Sequence, residues 1–267
     1  MAPRLRSGAG TVLLELRGLT KRYGGLTAVA DVSFDIDKGE IIGIFGPNGS
    51  GKTTLLNLVA GLARPTSGAI VWQGADIAGW QAHEIAARGL VKTFQNPQLF
   101  SELTALEHLL VAGHLALKRG LGWRRLGTLL REEQTSRSLI GRARDVLALC
   151  RLERARDARA AELSYGEEKM LGVAMGLMCQ PQLLLLDEPA SGLGAEEIAN
   201  LQSVLRDLKA AGMTLCVIDH KVGFLRGLAD RAISLHHGAK IAEGTPAQVL
   251  ADPAVISAYL GRAHAAI

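Results

Sequence analysis

Apolar and polar residues alternate over Val12, Leu14 and Leu16, and again over Val32, Phe34 and Ile36. That period of two predicts strands with one buried face. Asp37-Lys38-Gly39 then predicts a turn, and Ile41–Phe45 is an unbroken apolar run of the kind that fills a fully buried strand. A glycine-rich stretch follows, and residues 53–60 read as a helix that stops at Gly61. Residues 69–72 predict a strand closed by Gln73-Gly74, residues 81–88 a helix and residues 90–94 an extended segment. From about Thr104 to Met178 the texture changes. Nearly every residue there is a helix former, with breaks near Gly120-Leu121-Gly122 and over residues 161–166. From Leu183 the earlier alternation resumes. It predicts strands at 183–186, Thr214–Ile218 and 232–235, and helices at Ala195–Ala210 and 221–228. Short strands alternating with helices imply a mostly parallel sheet covered on both faces, here interrupted by a helical lobe.

Composition sharpens this picture in three ways. The chain has 267 residues, 48% of them hydrophobic and 21% charged, enough for a sizeable core in one large domain or two lobes. Mean hydropathy is +0.17, yet the longest apolar runs, residues 171–179 and 183–186, are separated by Gln180-Pro181-Gln182 and fall short of the ~18 residues a membrane span needs. A water-soluble protein is therefore expected, and one that can still sit against a membrane protein. Residues 1–10 carry Arg4 and Arg6 without an apolar segment, which predicts a short tail rather than a secretory signal. Cys150, Cys179 and Cys216 lie far apart in apolar company, as buried thiols of a reducing compartment do. The net charge of +4 is uneven: residues 118–151 hold nine basic against three acidic residues. A solvated helical face or attraction to anionic lipid headgroups would both suit this segment. Trp123 is the one aromatic there, so nucleic-acid binding is disfavoured.

Chemistry concentrates at two places. Gly46-Pro47-Asn48-Gly49-Ser50-Gly51-Lys52-Thr53 fits G-x-x-x-x-G-K-[ST], and it falls between a predicted strand and a predicted helix, followed by Thr54. Glycines let successive N–H groups turn inward around an anion, and the helix start adds its positive dipole end. Lys52 would place an ammonium on the β- and γ-phosphates of ATP, and Thr53 a hydroxyl on Mg²⁺. The second place is Leu183-Leu184-Leu185-Leu186-Asp187-Glu188, an apolar strand ending in two carboxylates. Ligands gather at the carboxyl ends of parallel strands, so Asp187 suits Mg²⁺ and its water, and Glu188 suits a general base for the attacking water.

Three further motifs narrow the reading. Leu163-Ser164-Tyr165-Gly166-Glu167 resembles LSGGQ, the signature of ABC-transporter ATPases. Gln95 resembles the glutamine of that family's Q-loop, and His220 its switch histidine. Within the family the chain is most similar to ATP-binding subunits of branched-chain amino-acid importers, through Tyr23-Gly24-Gly25-Leu26, Thr93-Phe94-Gln95, Leu99-Phe100, Tyr165, Gly192-Leu193, Gly244-Thr245-Pro246 and Tyr259-Leu260-Gly261. Lipopolysaccharide-export and urea-import ATPases resemble it as well.

The resemblance implies an α/β fold: a RecA-like P-loop NTPase core at residues 11–95 and 180–267, with an N-terminal antiparallel β element, and an inserted α-helical signature lobe at 96–179. It implies that Tyr23 stacks on adenine, and that Gln95 touches Mg²⁺ or the attacking water. Ser164 and Gly166 would cap the γ-phosphate held by a second ATPase subunit, identical or paralogous, and His220 would hold Glu188 and the water in line. Hydrolysis would then open the dimer and drive two membrane-spanning permease subunits, fed by a periplasmic binding protein, from the cytoplasmic face of the inner membrane. The permeases would dock near Gln95 and Glu102. Two positions depart from the pattern: Gly194 stands where members often carry Asp, and Glu167 replaces Gln and is expected to point away from phosphate. A DNA-repair or translation ATPase is the alternative, disfavoured because one phosphate loop and no sustained heptads are present. A regulatory module without turnover is disfavoured by Glu188.

Overall fold

The computed structural model describes residues 11–120 and 132–260. Residues 1–10, the Gly122 part of the first helical break, Trp123 and much of the basic stretch lie outside them. The first two strands, β1 (Val12–Tyr23) and β2 (Leu26–Asp37), form a long antiparallel hairpin. β3 (Ile41–Phe45) leads through the glycine loop into α1 (Lys52–Val59). Then come β4 (Ser67–Trp72), β5 (Ala75–Asp76), α2 (Ala82–Ala87) and β6 (Leu90–Lys92). The helical stretch supplies α3 (Ala105–Gly120), α4 (Glu132–Leu149) and α5 (Tyr165–Met178), and α3 packs on both of the others. The chain returns through β7 (Leu183–Asp187), α6 (Ala195–Ala210), β8 (Thr214–Ile218), α7 (Val222–Arg226), β9 (Arg231–His236) and β10 (Ala239–Gly244). It closes with α8 (Pro246–Ala251) and α9 (Pro253–Leu260).

Two sheets result. One is antiparallel, ordered β2-β1-β4-β5; the other is ordered β10-β9-β3-β8-β7-β6 and is parallel except at β10. The central strands of the second sheet, β3, β7 and β8, are buried along their whole length, which is why their sequences are almost continuously apolar. On one face Ile41, Phe45, Leu184, Leu186, Leu215 and Val217 meet the helices. On the other, Ile42, Ile44, Leu183, Leu185 and Ile218 meet α1 and the antiparallel sheet. Cys150 and Cys216 are buried as expected, whereas Cys179 is half-buried. Among the described residues no helix is long and apolar enough to cross a membrane.

Local differences from the sequence reading have physical causes. β1 runs on to Tyr23 because β2 pairs along its whole length. A register shift between Leu16 and Leu19 is absorbed where Gly18 takes a left-handed φ of 57°. The segment predicted as extended to Phe94 ends as a strand at Lys92, whose partner is Leu185, and Phe94 is exposed beyond it.

Candidate functional site

The phosphate loop leaves β3 at its carboxyl end and is built to fit backbone tightly. A Cβ on Gly46 would stand 2.1 Å from Leu235 O, and one on Gly51 2.3 Å from Ala28 O. Gly51 also holds φ at 98° as it starts α1, a conformation that favours glycine. Lys52 is 4% exposed, and its Nζ donates to Gly46 O at 2.8 Å and Pro47 O at 3.0 Å, so the ammonium is held inside the turn of the loop. Ser50 Oγ is buried with no hydrogen-bond partner among the described residues. A glycine cradle, a positioned cation and an orphaned buried hydroxyl fit a bound phosphate.

The sheet brings the acids to the same edge. Asp187, the last residue of β7, is 3% exposed. Its Oδ1 accepts from the Thr53 hydroxyl at 3.5 Å, and its Oδ2 lies 3.0 Å from Lys92 Nζ. Glu188 adopts a left-handed φ of 48°, and its N–H donates to Ile218 O at 2.8 Å, closing the turn after β7. A non-glycine residue in that region stores roughly 1–2 kcal/mol, held here by the β7–β8 pairing. The turn aims the carboxylate at His220, its expected partner, whose Nδ1 is 3.6 Å from Glu188 Oε2, and at Gln95, expected on Mg²⁺ or water, whose Nε2 donates to the same oxygen at 2.7 Å. Asp187, Thr53, Glu188, Gln95 and His220 thus form one cluster beside the loop. Hard oxygen donors from Thr53 and Asp187 suit a cation that keeps most of its shell from phosphate and water; among the described residues there is no all-protein metal cage.

Ser164 and Gly166 lie elsewhere, at the start of α5. Ser164 is its N-cap: its Oγ accepts from Glu167 N at 3.3 Å and donates to Glu167 Oε2 at 2.9 Å. Glu167 is turned back toward its own helix start. It occupies the third helical position and reaches back to its own cap, as a capping box requires. Gly166 is packed on Glu197, whose Oε1 a Cβ would approach at 2.3 Å. Tyr23 is half-exposed at the end of β1 with Lys21 Nζ 4.7 Å from its ring centroid, which leaves an aromatic surface open to a planar base.

A family pattern described as "ABC transporter" matches residues 29–191. The chain belongs to the ABC transporter family. A second pattern, described as "Branched-chain amino acid ATP-binding cassette transporter", matches residues 239–265 of this ABC protein. The high-affinity branched-chain amino acid transport ATP-binding protein BraF of Pseudomonas aeruginosa is 37% identical, covering 94% of this chain and 98% of its own. Its counterpart LivG of Escherichia coli is 38% identical over the same shares. The lipopolysaccharide export ATP-binding protein LptB of Acidithiobacillus ferridurans is 34% identical over 93% and 97%. A crystal structure of the ADP conformation of an ABC-transporter ATP-binding cassette superposes with a TM-score of 0.81 at 29% identity, covering 94% and 99%. The P-loop NTPase fold and the identification as an ABC ATP-binding subunit, homologous to BraF and LivG, are therefore established. Its family hydrolyses ATP to power transport.

Four side chains of the ABC site escaped the sequence reading. Lys92 grips Asp187. Lys169, buried in α5, donates to Gln95 O and to Asn96 Oδ1 at 3.2 Å. Asp219 is fully buried beside His220, and Lys221 donates to Leu193 O at 2.9 Å. A charged residue ending a short apolar strand was the available signal for Lys92 and Asp219. Nothing local marked Lys169 or Lys221. At the Gly194 departure, Glu197 reaches back from the third position of α6, and its Oε2 accepts from Gly194 N at 2.8 Å.

Proposed function

We propose that this subunit binds Mg²⁺–ATP and powers import of branched-chain amino acids or a related small solute. The carrying observation is the convergence of Gln95 and His220 on the Glu188 carboxylate beside a complete phosphate loop. Residues 46–54 would bind the phosphates and Tyr23 the adenine. Thr53, Asp187 and Gln95 would hold Mg²⁺, which supplies positive charge against the β- and γ-phosphates when bound. Glu188 would take the proton of the attacking water, and His220 would bond the γ-phosphate and keep that water in line. The loop and the signature are separate in one chain, so Ser164 and Gly166 would cap the nucleotide of a second ATPase subunit. A solved dimeric cassette carrying ADP and Pi, alike at TM-score 0.73 and 25% identity, supports a two-subunit assembly. Two permeases, a periplasmic binding protein and a place on the cytoplasmic face of the membrane would complete the assembly, a reading that kinship with BraF and LivG supports.

Glu188→Gln keeps the hydrogen-bonding partners and removes the base. It should accumulate an ATP-bound dimer in size-exclusion chromatography while turnover drops by about 10² or more. Normal hydrolysis by that variant would refute the assignment of Glu188.

A further inference from the structure

The loop after Asp187-Glu188 is tied down twice from the end of the neighbouring parallel strand, β8. Asp219, at the end of β8 and fully buried, uses both carboxylate oxygens on backbone: Oδ2 accepts from Ala190 N at 3.0 Å and Oδ1 from Lys221 N at 2.8 Å. Lys221 then reaches back, and its Nζ donates to Leu193 O at 2.9 Å. Two of these bonds fix the ends of the stretch 190–193 to the residues that flank His220, and the third ties those two residues to each other. The other surface of the same stretch carries the signature. The Tyr165 hydroxyl donates to Ser191 O at 3.4 Å. Its ring lies on Gly192, where a Cβ would stand 2.5 Å from a ring carbon. Glu197 spans the remaining gap, bonded to Gly194 N and packed against Gly166.

We infer that Asp219 and Lys221 are positioning residues that clamp the loop 190–194 to the segment carrying His220, so that the loop and the switch histidine keep one geometry. The inference rests on the function proposed above. The clamp also accounts for tolerance of glycine at 194: the loop's anchorage comes from Asp219, Lys221 and Glu197 and needs no carboxylate of its own. A displacement of Ser164 and Gly166 by phosphate would pass through Tyr165 to residues 191–192, and from Leu193 through Lys221 to the histidine 3.6 Å from Glu188. Because Asp219 is fully buried and both of its oxygens are filled, losing the Lys221 bond loosens the stretch it holds rather than a single contact.

The test is Lys221→Met, which keeps the apolar stem and removes the donor. In the nucleotide-free protein, amides of residues 190–194 should exchange hydrogen about tenfold faster or more while those of β3 and β7 are unchanged. The kcat for ATP should fall about tenfold with KM within about twofold, since a misplaced group costs turnover more than binding. Lys221→Arg, which retains a donor, should recover most of the loss. Unchanged exchange at 190–194 overturns the clamp, whether or not ATP is turned over. Faster exchange with unaltered kcat overturns its positioning role. If the unsubstituted protein hydrolyses no ATP, the proposed function fails, and the exchange measurement alone decides the clamp.

Discussion

Lys92→Met probes the buried pair that aims Asp187. The side chains of Lys92 and Asp187 are 7% and 3% exposed and meet at 3.0 Å. Methionine fills nearly the same space, so the loss is the ammonium alone. The Asp187 carboxylate is then left with the Thr53 hydroxyl at 3.5 Å as its hydrogen-bond partner in this cluster. Breaking a buried pair by removing one partner costs about 3–5 kcal/mol, most of it the penalty of an uncompensated buried charge. For a chain of this size about 2–4 °C is lost per kcal/mol, so the midpoint of thermal unfolding should fall by roughly 6–20 °C. The assay is nucleotide-free protein in chelator, unfolded by heat and by guanidinium and followed by circular dichroism. The double variant Lys92→Met/Asp187→Leu removes both charges and should return to within about 1 kcal/mol of the parent, because a well-packed apolar pair replaces an ion pair at little cost. A single variant that loses less than about 1 kcal/mol, or a double variant as unstable as the single, would refute the claim that charge compensation holds Asp187.

Two other outcomes are expected from stability measurements. Gly46→Ala should destabilise by at least about 1–3 kcal/mol, since the new Cβ meets the Leu235 carbonyl, which is backbone and cannot swing aside; wild-type stability in chemical denaturation would contradict this. Burial pushes the Cys150 thiol up from about 9 to about 12 and raises Cys216 as well. Between those values the unfolded thiol has lost its proton and the folded one keeps it, so stability should fall as pH rises through that window. Cys150→Ala should make the decline shallower by about 1.4 kcal/mol per pH unit, read from denaturation midpoints at alkaline pH.

What the sequence discloses is what short-range chemistry decides. The phosphate loop is legible because its strand, glycines, lysine and helix are contiguous, and Asp187-Glu188 because an all-leucine strand has no other reason to end in two acids. The full reach of β1 was hidden, since polar residues such as Lys21 and Arg22 join a strand only through pairing with β2. Lys92 was hidden for the same reason: its meaning depends on a parallel register with Leu185 that sets its side chain against Asp187, far along the chain. Lys169 and Lys221 are harder still, because each donates to a main-chain carbonyl, of Gln95 and Leu193 respectively, and a carbonyl leaves no trace in residue identity. A motif therefore reveals the groups proposed to meet ATP, while the groups that hold them in place are chosen by topology. Glu167 and Gly194 show the consequence. Judged alone, each is a departure at a family position. In the fold Glu167 closes the capping box of α5 with Ser164, and Glu197, three residues on from Gly194, accepts the Gly194 N–H at the start of α6, so both helix starts find partners within the chain.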